Sequence, residues 1–214
     1  RLISNPNCST IQMLMAIKPL HDVFTVKEIV VSTYQSVSGA GQNGVEELLV
    51  QSKEVLANRP AIPNHFKRQI AFNVIPQIDA MTDSLYSKEE LKMMNETKKI
   101  LDLPSIDITA TCVRVPVLIG HSVSVFAKFE DTVDLDKANG VFHAFHGVKV
   151  IDDNGRDYAT PVDTAGFDEV FISRIRGHPS FRNALSFWCV SDNLRKGAAL
   201  NAVQIAVKLL EGGI

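Results

Sequence analysis

Cysteine is scarce in this chain. Three occur in 214 residues, Cys8, Cys112 and Cys189, far apart and never as a CxxC pair. That excludes a disulfide scaffold and argues against a zinc site, so no metal is expected. The thiols suit a reducing cytoplasm, where one of them can stay reactive. No apolar run approaches the ~18 residues a spanning helix needs, so no membrane partner is expected. Neither sign of charge dominates: 22 Lys+Arg against 24 Asp+Glu leave −2, unlike a basic nucleic-acid binder. The opening RLISNPNCST lacks a signal-peptide layout. A start at Arg1 without methionine points to processing or trimming. There are no repeats or low-complexity segments. An apolar share of 45% and a charged share of 21% are globular values, which excludes disorder.

What is present reads as α+β. Asn, Pro and Ser before an apolar stretch start a helix over about 9–20. Residues 26–34 read as a strand, with Ile29, Val30 and Val31 β-branched. SVSGAG (36–41) is a glycine-bearing turn. A second helix over 44–57 carries Val45, Leu48, Leu49, Val55 and Leu56 as an apolar stripe. Residues 58–87 form an irregular but structured excursion, because Phe66, Ile70, Phe72, Val74 and Ile75 call for burial. Ser87 with Glu90 makes a capping box for a helix over 87–101. The pattern then turns to period two. In 122–130, Val123, Val125, Ala127 and Phe129 alternate with Ser122, Ser124, Lys128 and Glu130, as in a half-solvated antiparallel strand. Strands are also expected over 108–115 and near 146–151, 168–176 and 185–191, and Asp192 caps a last helix over 193–210. The architecture is an antiparallel or mixed sheet covered by helices.

Cys8 falls at a helix start, where free N–H groups and the helix dipole favour a thiolate. A free cysteine is also often a small core residue. Arg114 and His121 bracket a bend, Arg-Val-Pro-Val-Leu-Ile-Gly-His, that can aim both side chains at one mouth. Glu96 and Lys99, at i and i+3, read on their own as a surface ion pair. As a set they make chemical sense. Cys with His suits acyl transfer, Arg114 can clamp a carboxylate, Lys99 can hold a phosphate and Glu96 an ammonium.

The stretches SNPNCSTIQ (4–12), YQSVSGAG (34–41), HFKRQIAFNVIPQID (65–79), ETKKIL (96–101), CVRVPVLIGHS (112–122) and WCVSDNLRKGAALNAVQIA (188–206) run in order from end to end of the chain. The sequence resembles the catalytic part of the aspartate-β-semialdehyde dehydrogenase family. The fold this implies resembles the C-terminal catalytic domain of the semialdehyde and glyceraldehyde-phosphate dehydrogenases. The resemblance implies that Cys8 is the thiol that forms an acyl-enzyme thioester and Gln35 the residue that positions the substrate there. It implies His121 as acid/base, Arg114 as the carboxylate clamp and Glu96 as the residue facing the substrate amino group. Asn7 and Lys99 match phosphate-binding positions, and Ser38, Gly39 and Asn193 match positions beside the nicotinamide.

The same resemblance implies NADP as cofactor, β-aspartyl phosphate, aspartate semialdehyde and phosphate as ligands, and a homodimer formed through the sheet. It divides the chain into a catalytic and dimerisation part, 1–191, and a C-terminal helix, 192–214, that packs on a nucleotide-binding domain. The resemblance puts SVSGAG (36–41) on the catalytic side, so it is not that domain's glycine-rich turn; most of that domain is expected to be missing and the isolated chain inactive. Three other readings compete: a reductase of N-acetyl-glutamyl phosphate, a catalytically silent dimerisation domain and a Cys–His hydrolase. Glu96, suited to a free ammonium, favours the aspartyl substrate over the acylated one.

Overall fold

A computed structural model describes residues 2–151 and 156–212. Helix α1 (Cys8–Phe24) starts where Asn7 Oδ1 accepts the amides of Ser9 and Thr10 at 3.0 and 3.2 Å. It runs four residues beyond the expected end and holds Pro19 inside it. Leu20 and Phe24 are buried, and their packing outweighs the hydrogen bond that proline removes. Strand β1 (Val26–Gln35) follows, then a 3₁₀ turn over Val37–Ala40 and helix α2 (Gln42–Leu56).

Helix α3 (Lys88–Ile100) carries the expected capping box, with Ser87 and Glu90 bonded reciprocally. Then come β2 (Asp107–Arg114), β3 (His121–Phe129), α4 (Leu135–Ala144), β4 (Val148–Val150), the single turn α5 (Pro161–Thr164), β5 (Val170–Gly177) and β6 (Ala184–Ser191). Helix α4 was not foreseen, because its Ala138 and Phe142 are its only buried residues and give no sustained period. The last helix begins as a π-helical segment over Arg195–Ala199 and becomes α6 (Leu200–Leu210).

The six strands form one mixed sheet in the order β2-β1-β3-β6-β5-β4, with β1/β2 and β4/β5 parallel and the other pairs antiparallel. Helix α1 lies against the middle of the sheet and touches both α3 and α4, so the three form one layer. The core between layer and sheet takes Met13, Ile17, Leu20, Ile29, Val125 and Phe187. Full burial of one such side chain is worth roughly 1.5–3 kcal/mol. The alternate residues face the other way. Val30, Tyr34, Phe126 and Trp188 remain part-exposed there, with the Tyr34 and Trp188 rings 5.4 Å apart.

Two apolar expectations fail. In α2 only Leu48 of the foreseen stripe is buried, and Leu49 and Leu56 are exposed. The buried face of α2 is polar: Glu47 accepts the amides of Asn64 (3.2 Å), His65 and Phe66 (3.5 Å), and Gln51 Oε1 those of Ile70 (2.8 Å) and Ala71 (3.2 Å). In the excursion Ile70 and Ile75 are buried, while Phe72 and Val74 are exposed. The backbone there is held by side-chain acceptors, so fewer apolar anchors suffice.

Candidate active site

The strand register gathers polar residues at one end of the sheet. Gln35, last in β1, stands opposite Arg114, last in β2, and His121, first in β3, stands opposite Ser191, last in β6. Helix α1 is tied to this end by Gln12, one turn after Cys8. Gln12 Nε2 donates to the His121 carbonyl at 3.0 Å, and Gln12 Oε1 accepts from Ser191 Oγ at 2.6 Å. Gln12 is fully buried. A glutamine inside an otherwise apolar helix face was the signal that could have singled it out.

His121 is buried to 0% exposure. Its Nδ1 accepts the Ser36 amide at 3.0 Å, with Ser36 Oγ also at 3.0 Å. An amide can only donate, so the neutral ring carries its proton on Nε2. Nε2 itself is buried without a partner. Burial, helped by the charge of Arg114, pushes the imidazole down to about 3. Arg114 is 5% exposed and donates from Nη1 to the Ser36 carbonyl at 2.6 Å. A Cβ placed on Gly39 would sit 2.9 Å from both Arg114 Nη1 and His121 Nε2. The bare Gly39 backbone therefore leaves a small space bounded by a guanidinium and an imidazole N–H, and any side chain there would fill it.

Cys8 is half-buried at the first turn of α1, whereas Cys112 and Cys189 are fully buried. Burial pushes the Cys8 thiol up to about 11, Glu89 adding to the effect and Ser9 and Arg114 opposing it. The helix-start preference for a thiolate is thus outweighed by desolvation in this state. Burial takes Cys112 and Cys189 further, to about 12 each, so Cys8 remains the most acidic and most accessible of the three.

The residue before Cys8 is locked from α3. Asn7 donates its amide to Glu96 Oε2 at 2.8 Å and its Nδ2 to Glu89 Oε1 at 2.7 Å. With Oδ1 spent on capping and one Nδ2 hydrogen on Glu89, the second Nδ2 hydrogen is the donor Asn7 has left. Glu96 engages Asn7 rather than an ion pair with Lys99, which stands exposed on the last turn of α3. Glu89 carries no signal of its own in sequence, standing in the first turn of a helix beside the Ser87–Glu90 capping box. Gln35 is buried, its Nε2 donating to Thr33 Oγ1 at 3.1 Å.

Asn193 sits between the 3₁₀ turn and β3. Its Oδ1 accepts from Gly120 N (2.8 Å), Ser36 Oγ (3.1 Å) and Ser38 Oγ (3.2 Å), and its Nδ2 reaches Ser38 Oγ at 3.0 Å. Asp192 accepts the amides of Leu194 and Arg195 at 2.8 and 3.1 Å; expected to cap the last helix, it stands two residues before the N-cap of the π-helical segment, Leu194, and holds the turn that leads into it. That segment brings Gly197 onto Cys8: a Cβ there would lie 3.0 Å from Cys8 Cβ. Ser38, Gly39 and Asn193 thus adjoin the Arg114–His121 space. The unpartnered Nε2 and the Cβ-free Gly39 are the open features of that space. Among the described residues no cluster of three or more potential ligands offers a metal site, and no helix is long and apolar enough to cross a membrane.

A family model described as "Semialdehyde dehydrogenase, dimerisation domain" matches residues 17–196. The chain is 47% identical over 210 residues to aspartate-semialdehyde dehydrogenase 2 of Vibrio cholerae, covering 98% of this chain and 62% of that protein. It is 46% identical over 216 residues to the aspartate-semialdehyde dehydrogenase of Aquifex aeolicus, covering 100% and 63%. The chain therefore spans less than two thirds of these relatives. The crystal structure of V. cholerae aspartate semialdehyde dehydrogenase II complexed with ASA superposes with a TM-score of 0.95 at 46% identity, over 98% of this chain and 62% of that one. A probable aspartate-semialdehyde dehydrogenase from Pseudomonas aeruginosa gives 0.94 at 33% identity, over 100% and 64%.

Proposed function

Because the chain belongs to the semialdehyde dehydrogenase family, carrying its dimerisation domain over residues 17–196, we propose that it is the catalytic and dimerisation part of an aspartate-semialdehyde dehydrogenase. The intact enzyme would reduce β-aspartyl phosphate to aspartate semialdehyde with NADP as coenzyme and release phosphate. That reaction serves biosynthesis of lysine, threonine, methionine and diaminopimelate, in the cytoplasm. In this reading 1–191 form the catalytic unit, and the helix over 192–214 returns to a nucleotide-binding domain outside this chain.

The observation that carries the proposal is the pairing of Arg114 Nη1 and the unpartnered His121 Nε2 across Gly39, at the sheet end to which Gln12 ties α1 and hence Cys8. Arg114 receives the substrate carboxylate as a charge-assisted pair. The Cys8 thiol gives up its proton to the departing phosphate as its sulfur attacks the acyl carbon; the C–O bond to phosphate breaks, and a thioester remains. Gln35 sits opposite Arg114 in register and orients the acyl group. Lys99 and Asn7 serve the phosphate, and Glu96 the substrate ammonium. When bound beside Ser38, Gly39 and Asn193, the coenzyme supplies the hydride. His121 holds its Nε2–H, in the tautomer Ser36 imposes, as a hydrogen-bond donor to the oxygen that gains charge; that charge re-forms the carbonyl as the C–S bond breaks, so the aldehyde leaves and the Cys8 thiolate returns.

The open face of the sheet, with Tyr34, Phe126 and Trp188, is the surface through which two copies pair. The test is an NADPH-coupled assay of β-aspartyl phosphate reduction with the full-length enzyme. Cys8→Ala is expected to abolish turnover while leaving the fold intact; turnover at the parental rate would overturn the proposal.

A further inference from the structure

Lys196, on the π-helical segment, is a buried cation that the reaction above does not use. It is 6% exposed, and burial pushes its ammonium below the usual lysine range. A buried charge ordinarily takes a carboxylate as partner. The described partners of Lys196 are instead two amide oxygens of α6, Gln204 Oε1 at 2.6 Å and Asn201 Oδ1 at 3.3 Å.

An ammonium only donates, so it turns the oxygen of the Asn201 amide toward itself. That leaves Asn201 Nδ2 to donate to Asn5 Oδ1 at 2.7 Å. With its oxygen taken, Asn5 donates from Nδ2 to the Ala198 carbonyl at 3.2 Å. The bonds therefore run one way, from Lys196 to Asn201, to Asn5 and back to the π-helical segment. Turning the Asn201 amide over would set its NH2 against the ammonium, two donors face to face.

Asn5 stands three residues before Cys8, with Pro6 and Asn7 between them. The proline ring fixes its own φ and keeps Asn5 extended, so a shift at Asn5 is passed on toward Cys8. From the α3 side Asn7 is already held by Glu89 and Glu96. From the other side the π-helical segment presses on the thiol residue, where a Cβ on Gly197 would lie 3.0 Å from Cys8 Cβ and 3.5 Å from Cys8 Cα. The cysteine is gripped between the two, and the charge of Lys196 sets the direction of the bonds in the second grip.

We propose that Lys196 is a positioning residue for Cys8, acting through the amides of Asn201 and Asn5 to hold the thiol-bearing start of α1 against the π-helical segment. The proposal rests on the reading above for the role of Cys8 as nucleophile. A nucleophile misplaced by about 1 Å can lose on the order of a hundredfold in rate, so the grip matters to the chemistry even though no member of it reaches the substrate.

The test uses the full-length enzyme, with kcat and KM for β-aspartyl phosphate, the urea midpoint, and alkylation of each cysteine read by peptide mass spectrometry. Asn201→Asp is the decisive variant. It gives the Lys196 ammonium a carboxylate but leaves no N–H for Asn5. Were Lys196 merely structural, this variant would keep kcat. The expected result is an unchanged urea midpoint, kcat lowered about tenfold or more with KM little changed, and severalfold faster labelling of Cys8 while Cys112 and Cys189 stay protected. Asn5→Ala, which trims an exposed side chain, is expected to do the same. Lys196→Met is expected to lower kcat and to add nothing further on top of Asn5→Ala, as members of one line of bonds couple. Parental kcat and parental Cys8 labelling in Asn201→Asp would overturn the proposal. So would multiplying effects of Lys196→Met and Asn5→Ala, or labelling of all three cysteines rising together. Turnover retained in Cys8→Ala would instead overturn the proposed function, while the Cys8 labelling rates would still decide whether Lys196 holds this segment.

Discussion

Helices α1 and α6 come close at their starts, where Gly197 of the π-helical segment packs on Cys8, and then meet different fates. Helix α1 buries eleven of its residues under the sheet. Helix α6 buries none, and Val203, Val207 and Leu210 are exposed. Both sequences are apolar at helical spacing. Apolarity therefore says that a helix face wants cover, and only the fold says whether the chain supplies it. For α1 the sheet is the partner. For α6 the described ties are polar and few, Asn201 to Asn5 at 2.7 Å and Gln204 to Lys196 at 2.6 Å, and its apolar face stays open.

The sharpest way to break this contrast is a pair of truncations. Ile17→Ala in α1 empties a fully buried site and should cost about 2–5 kcal/mol in urea unfolding. A cost below about 1 kcal/mol would mean that α1 is not the pillar of the core.

The next effect belongs to the polar end beneath α1. The folded imidazole of His121 is held down near 3, and an unfolded one titrates near 6.5. Above about pH 6.5 both states are neutral and the full stability is present. As pH falls from there toward 3 the unfolded chain takes a proton that the folded one refuses, so stability drops, by up to about 1.4 kcal/mol per pH unit. Urea unfolding between pH 7 and 5 should show this slope, and His121→Gln should flatten it. Identical slopes would place the imidazole in water.

A third test acts where the two helices touch. Mass spectrometry of alkylated peptides should find Cys8 reacting first, with Cys112 and Cys189 protected until unfolding. Gly197→Ala sets a Cβ at 3.0 Å from Cys8 Cβ and should change the Cys8 rate while costing about 1–3 kcal/mol. Faster labelling of Cys112 in the folded chain would contradict the accessibility order.

The smallest effect should come from α6 itself. Val203→Ala should stay within about 0.5 kcal/mol, and amides 200–210 should exchange before those of α1. Protection of α6 equal to that of α1 would show that its bare face is covered in solution.

Much of this was legible in the residues. The order of strands and of helices α1, α2, α3 and α6, though not α4 or α5, the Ser87–Glu90 capping box and the helix start at Cys8 follow from short-range rules: alternation, apolar spacing and capping chemistry act within a few residues, so they can be read locally. The motif resemblance pointed to Cys8, Arg114 and His121 together. The polar seat of the excursion on Glu47 and Gln51 was not legible, because a buried carboxylate satisfied by distant backbone amides looks in sequence like a solvated helix face. Nor was Glu89, whose partner Asn7 lies 82 residues away.

The sequence by itself determined the local elements, the mixed α+β character and the chemical types at the site, since these depend on side-chain identity and near-neighbour geometry. The tertiary structure alone decided that Gln35, Arg114, His121 and Ser191 share one sheet end, because strand register is a long-range choice. It also decided that His121 presents Nε2–H to the bare Gly39, a matter of which backbone amide reaches Nδ1. The protonation of Cys8 was its decision too, through the desolvation that outweighs the helix start.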